Sequence, residues 1–120
     1  LLFLPFSSCF FNLRTEIATY LTLHPPRTDY ASSKGGLTSM MKNLSQRLAP
    51  FNISVNDVAP AMIGETGMIP NSAAVPGVVE GIPLGRLGTP QEVANAVDCF
   101  VKSGYMTGQS LIVAGGLRHL

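Results

Sequence analysis

The run YASSK, residues 30–34, sets a phenol and a primary amine four positions apart. On a helix, residues i and i+4 share a face one turn apart. At 100° per residue Tyr30 and Lys34 differ in direction by about 40°. A free phenol has a pKa of about 10 and is a feeble acid–base catalyst at neutral pH. An ammonium held beside it favours the phenolate, which makes the phenol a proton donor or acceptor matched to working pH. On the pair alone, a second reading stands beside this one. It is a tyrosine packed at a helix start, with a lysine stem passing it on the way to solvent.

The elements around the pair decide what it can reach. Thr28 and Asp29 are good N-caps, and Leu37, Met40, Met41, Leu44 and Leu48 follow at helical spacing. Leu37, Met41, Leu44 and Leu48 fall within about 40° of the direction of Tyr30, so the pair continues the buried stripe and points toward a sheet. Ala49-Pro50 stops the helix, because proline disfavours helix in the residue before it. NISVNDVAP (52–60) then reads as a buried strand. Residues 60–88 are rich in Gly and Pro without a period, the mark of a lid or binding loop. TPQEVANAVDCFVKSG (89–104) is a helix with Thr89 and Glu92 at capping-box spacing, Pro90 at its first position and Gly104 to close it. Its apolar face is Val93, Ala96, Val97, Phe100 and Val101. QSLIVAGG (109–116) is a final buried strand, residues 1–13 supply one more, and 14–28 read as a loop broken by Pro25-Pro26. Helices alternating with apolar strands imply an α/β layered fold with a parallel sheet. Three strands make a narrow sheet, below the usual five or six, so the sheet reads as incomplete.

YASSKGGLTSMMKNLSQRLAPFNISVNDVAPAMIGETGMI (30–69) resembles the short-chain dehydrogenase/reductase family, in which a Y-x-x-x-K helix leads into a strand reading V-N-x-V-x-P-G and then a mobile loop. A second stretch, IPLGRLGTPQEVANAVDCFVKSGYMTGQSLIVAGG (82–116), is similar to the family's segment from substrate loop to last strand, and the text is nearest to its 3-oxoacyl-carrier-protein-reductase-like members. The resemblance implies the C-terminal part of a Rossmann-like doubly wound parallel sheet. It implies NAD or NADP as cofactor, and hydride transfer between a carbonyl and a hydroxyl of a small ketone or alcohol. Tyr30 would pass the proton, and Lys34 would tune it and bind the nicotinamide ribose. The backbone from Pro60 to Ile63 would place the nicotinamide, Ile63 addressing the carboxamide and Thr66 standing near the carboxamide and phosphates. Family members commonly pair through the helix that corresponds to residues 30–49 and an earlier helix, so a homo-oligomer is implied for the family, with the state of this chain left open.

Four departures stand against the family pattern. The glycine-rich turn that brings pyrophosphate to a helix N-terminus is absent. Neither GETG (64–67) nor SKGGL (33–37) follows a strand and opens a helix. The slot for the family's catalytic serine falls at Glu16 or Ile17, and Ser8 could fill it only through a longer loop. The P-G step reads Pro60-Ala61, with Thr66 displaced by one, and the alanine methyl fits only where φ is negative. The closing D-G-G reads Ala114-Gly115-Gly116. The simplest division makes residues 1–16 a divergent apolar lead foreign to the fold and 17–120 the C-terminal catalytic half. With no starting Met, the chain looks like a fragment.

Among the remaining residues, Asn56 reads as a strand-end hydrogen-bonder and Arg86 as an ordering residue beside the loop. His24 reads as an exposed loop residue. Met62 and Met68 are either flexible pocket walls or filler.

Composition narrows the function classes. A net charge of +1 with 12% charged residues and no basic run gives no reason to expect nucleic acid or an anionic membrane as partner. LLFLPFSSCFF (1–11) is too short and too broken by Pro5 to span a bilayer, and lacks the basic region of a signal peptide. Cys9 and Cys99 lack metal-ligand spacing, and Cys99 sits in an apolar helical pattern as a small buried hydrophobe. That argues for no metal, no disulfide and a reducing, cytoplasmic setting. The competing expectation is a non-catalytic remnant or interaction module lacking the dinucleotide-binding half. A sugar-nucleotide epimerase or dehydratase, which also uses Y-x-x-x-K, fits the PLGRLGTPQEV text (83–93) less well.

Overall fold

Strand β2, Ile53–Pro60, is the centre of the molecule. It is entered through Asn52, whose left-handed φ of 59° turns the chain out of a short 3-10 turn at Ala49–Phe51. The computed structural model describes residues 8–13 and 28–117. Within these, β1 (Ser8–Leu13) and β3 (Ser110–Val113) flank β2 in the order β1-β2-β3, both parallel to it. The register sets Ser8 opposite Ile53 and Leu13 opposite Val58, then Asp57 opposite Ser110 and Pro60 opposite Val113. Parallel neighbours require long crossovers. Helix α1 (Thr28–Leu48) lies between β1 and β2 in the chain, and α2 (Pro90–Lys102) between β2 and β3. The architecture is the expected α/β one, with a narrow, incomplete parallel sheet.

Every residue of β2 from Val55 to Pro60 is buried, so both of its faces are covered. On one face Val58 packs with Ala96 and Phe100 of α2, ringed by Val93, Val97, Met106 and Val113. Burying a phenylalanine such as Phe100 stabilises by about 1.5–3 kcal/mol, which makes α2 the main clamp on that face. Helix α1 packs along β2 as well. Its buried or half-buried positions are 30, 34, 37, 38, 41, 44, 45 and 48, the stripe expected from the spacing, and it includes Tyr30 and Lys34.

The start of α2 is built as its sequence predicts. The Thr89 side chain accepts from the Glu92 N–H, and the Glu92 carboxylate accepts from the Thr89 N–H, with Pro90 opening the helix. The segment between β2 and α2 has a core of its own. Ala61, Met62, Ile69, Ile82, Ala114 and Leu117 are buried together, with Val75, Val78 and Leu87 against them. Two single 3-10 turns, Ser72–Ala74 and Val79–Gly81, are its regular structure.

Several expectations are corrected. Strand β3 is not buried: Ser110, Leu111 and Ile112 are exposed, because the α2 cluster reaches Val113 and not the residues before it. Met40, Val101 and Cys99 are exposed, each one position away from a buried residue and so about 100° off its face. Helix α1 ends at Leu48, before Ala49-Pro50 as expected, and a separate 3-10 turn then carries the chain to Phe51. Helix α2 is closed by Ser103 rather than Gly104. The loop expected over 14–28, with His24, lies outside the described residues except for Thr28, which opens α1.

Candidate functional site

Helix α1 has 21 residues and β2 has 8, about 31 Å against about 26 Å of length. The end of α1 joins the start of β2 through four residues, 49–52. Near that junction Gly108, hydrogen-bonded to the Val55 carbonyl, lies so close to Ser45 that an added Cβ would stand 2.8 Å from its Oγ. The helix therefore runs back along the strand, and its first turns come to the carboxyl end of β2. In open α/β sheets that end is where ligands bind.

Tyr30 and Lys34 occupy those first turns, both half-buried, while residues 31–33, 35 and 36 are exposed. The Lys34 Nζ stands 5.4 Å from the centroid of the Tyr30 ring. That is a cation–π distance, and it holds the ammonium over the ring face. The two side chains are thus together and on the stripe that faces the sheet.

Pro60 closes β2 opposite Val113, and the Ala61 N–H donates to the Val113 carbonyl at 3.0 Å. Ala61 is accommodated where a glycine was expected: among the described non-glycine residues φ is positive at Asn52, Met62 and Glu65, not at Ala61. Buried Met62 takes the turn instead, with φ 56°, a conformation that costs a residue with a Cβ about 1–2 kcal/mol. Beyond it, Ile63 forms a parallel bridge with Gly88, in which the Gly88 N–H donates to the Met62 carbonyl at 3.0 Å and the Gly64 N–H to the Gly88 carbonyl at 2.8 Å. In an extended bridge the middle residue's own N–H and C=O face the opposite side. The Ile63 carbonyl accepts there from Thr66 Oγ1 at 3.4 Å, and Thr66 Oγ1 accepts from the Ile69 N–H at 3.0 Å. Ile63 and Thr66 are therefore joined, in one tight turn after β2.

The far side of this turn is pinned by charge. Arg86 donates to Glu92 through Nη1 at 2.9 Å and Nη2 at 2.6 Å, and through Nη1 to the Leu87 carbonyl at 3.0 Å. The Thr89 N–H reaches the same carboxylate at 2.9 Å. Hydrogen bonds from Arg86 first, and from the Thr89 backbone second, hold the Glu92 carboxyl well below its usual range, at about 2. A cavity of about 110 Å³ opens beside this pair, with Met62, Ile82, Gly88 and Ala114 among its walls.

The remaining candidates sort by burial. Asn56, 0% exposed, donates through Nδ2 to the Met106 carbonyl at 2.9 Å and accepts at Oδ1 from the Gln109 N–H at 3.0 Å, a bonding role as its place in the strand suggested. Met62 is a buried wall, whereas Met68 is 82% exposed. Ser8 opens β1 opposite Ile53, at the end of the sheet away from Pro60, so it does not stand at a strand end facing the site. Glu16 and Ile17 lie outside the described residues. Among the described residues no group of His, Cys, Asp or Glu could hold a metal ion, and no helix is long and apolar enough to cross a membrane.

These donors fit the nicotinamide end of a dinucleotide. The outward-facing Ile63 backbone stands past the strand end toward which the Tyr30–Lys34 turn is directed. Among the described residues no counterpart holds the pyrophosphate. Gly35 and Gly36 sit inside α1, where an added Cβ would meet nothing within 4 Å, unlike glycines that let a phosphate approach.

Residues 16–118 match the family model described as enoyl-(acyl carrier protein) reductase. Carbonyl reductase family member 4 of Danio rerio is 45% identical over 91 residues, 76% of this chain and 38% of that protein. The 3-oxoacyl-[acyl-carrier-protein] reductase FabG of Chlamydia pneumoniae is 42% identical over 98 residues, 78% of this chain and 39% of its own. A crystal structure of 3-hydroxyacyl-CoA dehydrogenase type-2 from Mycobacterium avium superposes with a TM-score of 0.80 at 27% identity, covering 94% of this chain and 44% of that one. The chain thus spans about two fifths of the length of these relatives.

Proposed function

The chain belongs to the short-chain dehydrogenase/reductase family, and we propose that it carries the proton-transfer and nicotinamide-placing half of an NAD(P)-dependent oxidoreductase site. The observation that carries this reading is the Tyr30–Lys34 pair at 5.4 Å, on the turn of α1 directed at the carboxyl end of β2.

A nicotinamide bound there would supply the hydride to the carbonyl carbon. Tyr30 donates its phenolic proton to the carbonyl oxygen as the C–O π bond breaks, giving the alcohol, and regains a proton from solvent. Lys34, over the ring, offsets the negative charge that develops on the phenol during the transfer and offers its N–H groups to the ribose hydroxyls. The Ile63 backbone addresses the carboxamide, and Thr66 fixes the Ile63 carbonyl. Pro60 ends the strand at the point where the turn begins. The substrate is a small ketone or its alcohol, and the relatives' names make a 3-oxoacyl group the first to try.

The test is titration of NADPH and of NADH into the purified chain, followed by nicotinamide fluorescence, then by ketone-dependent oxidation. Saturable binding that vanishes in the Tyr30→Phe/Lys34→Ala double variant, with turnover lowered about 10²–10⁴-fold in Tyr30→Phe alone, supports the reading. No binding at millimolar cofactor refutes it.

A second reading rests on β3. Successive strand residues face opposite sides of a sheet, and Leu111 and Ile112 are both exposed, with Tyr105 fully so. An interaction module that docks there would sediment as an oligomer, and Leu111→Lys/Ile112→Lys would return it to monomer without touching cofactor binding. An oligomer unchanged by those substitutions excludes docking through β3.

A further inference from the structure

Besides the Thr66 hydroxyl on its carbonyl, the Ile63 segment is held by its bridge to Gly88, and that bridge has nothing rigid of its own. Its partner, Gly88, lies in a loop, and two hydrogen bonds between loop segments open readily unless one of the segments is fixed. Gly88 is fixed from both sides. Leu87, before it, gives its carbonyl to Arg86, and Thr89, after it, gives its N–H to Glu92. Arg86 and Glu92 then grip each other through two parallel bonds at 2.9 and 2.6 Å. Arg86 and Thr89, the two ends of the stretch 86–89, are thereby held on one carboxylate that belongs to the first turn of α2. The contact at Gly88 is close: a Cβ there would come 2.7 Å from Ile63 Cδ1.

We infer that Arg86 and Glu92 are positioning residues: their forked ion pair locks Gly88 to α2, and through Gly88 holds Ile63 in the register at which its backbone faces the nicotinamide. The inference rests on the oxidoreductase reading given above. The pair is partly exposed, with side-chain accessibilities of 53% and 39%, a setting in which a single-point ion pair does little. The planar guanidinium fork is what makes it directional.

The pair has a second job from which the first is separable. Glu92 caps α2 with Thr89, whereas Arg86 takes no part in the capping box. Arg86→Ala therefore leaves the cap, with its hold on Thr89, and removes the Arg86 side of the lock. In Arg86→Ala, amide exchange at Gly64 and Gly88 is expected to accelerate at least about tenfold, while the amides of Val93 to Ala96 stay within about twofold. The dissociation constant for NADPH or NADH is expected to rise about tenfold in the same variant, and Arg86→Lys should restore part of it. Unchanged protection at Gly64 and Gly88, with wild-type chain that binds cofactor saturably, overturns the inference alone. Faster exchange with unchanged cofactor affinity also overturns it, since the lock would then position nothing. A wild-type chain that binds no cofactor refutes the oxidoreductase reading, and the positioning of a nicotinamide with it.

Discussion

Asn56 ties β2 to the chain that enters β3, and its removal has a calculable effect. The side chain is 0% exposed and bridges β2 to the α2–β3 connection, through the Met106 carbonyl and the Gln109 N–H. The same connection is held by the Val55 N–H on Thr107 Oγ1 at 3.1 Å, the Gly108 N–H on the Val55 carbonyl at 2.8 Å, and the Asp57 N–H on the Gln109 carbonyl at 2.9 Å. Asn56→Ala deletes two bonds from this set. If water reaches Met106 and Gln109, each lost bond costs about 0.5–1.5 kcal/mol, and if it does not, each orphaned group costs about 1–3 kcal/mol. The expected loss is therefore about 1–6 kcal/mol, and the partial burial of both bonds places it toward the lower half.

Urea unfolding followed by circular dichroism measures it. With a slope of about 2 kcal/mol/M for a chain of this size, a loss of about 2–3 kcal/mol moves the midpoint down by about 1–1.5 M. Asn56→Asp separates the two bonds. It keeps an acceptor for Gln109 but turns a carboxylate toward the Met106 carbonyl, so it should be no more stable than the alanine variant at neutral pH and should recover as the pH falls and the carboxyl gains a proton. A midpoint within about 0.2 M of wild type in Asn56→Ala would show that the connection holds itself, and would refute the tie assigned to Asn56.

Thr89→Ala removes one half of the capping box and should cost about 1 kcal/mol, read as a melting point lower by about 3–6 °C. Glu92 has a folded pKa of about 2 against an ordinary 4.5, so its contribution is complete above about pH 4.5 and is lost as the pH falls toward 2. The stability gap between wild type and Glu92→Gln should therefore close over that window in urea titrations. Gly108→Ala must place a Cβ at φ +70° and 2.8 Å from Ser45 Oγ. A loss of about 1–2 kcal/mol from the backbone alone should remain when Ser45→Ala relieves the contact, as thermal melts of the double variant would show. With no pyrophosphate cradle among the described residues, reduced nicotinamide mononucleotide should bind within about threefold of NADH, measured by fluorescence. A loss of a hundredfold would reveal a grip on the adenylate end.

What could be read from the sequence was what neighbours in the chain decide. The capping box at Thr89 and Glu92 is a spacing of three, and the stripe from Tyr30 to Leu48 is a period, so both were legible without tertiary knowledge. The hydrogen-bonding role of Asn56 was legible as well, but not its partners, which lie 50 and 53 positions away. The Arg86–Glu92 fork escaped because it joins a loop to a helix across six positions, with no periodic signal. Cys99, Val101 and Met40 were misplaced for one reason. An apolar side chain says what a residue prefers, whereas its angle to Phe100 or Met41 says what it gets, and one position is about 100°. The exposure of β3 is of another kind, since burial of an edge strand depends on layers packed from elsewhere and leaves no mark in its own four residues.

The division of labour within the site follows from the same geometry. A helix longer than the strand it follows back must present its first turns beyond that strand's carboxyl end, and it is there that Tyr30 and Lys34 are found. The chain leaving that strand can turn across the same end only if something reverses it, which Met62 does at φ 56°, and only if something stops it swinging, which Gly88 does. On the reading proposed above, proton transfer and nicotinamide placement draw on α1, β2 and the start of α2, all within residues 28–92. The pyrophosphate grip draws on a strand–turn–helix unit that these residues do not contain, since their paired glycines at 35 and 36 are spent inside a helix. On the proposed reading, the chemistry of the reacting atoms and the affinity for the dinucleotide are thus carried by different stretches of polypeptide, and residues 28–92 are the stretch that serves the first.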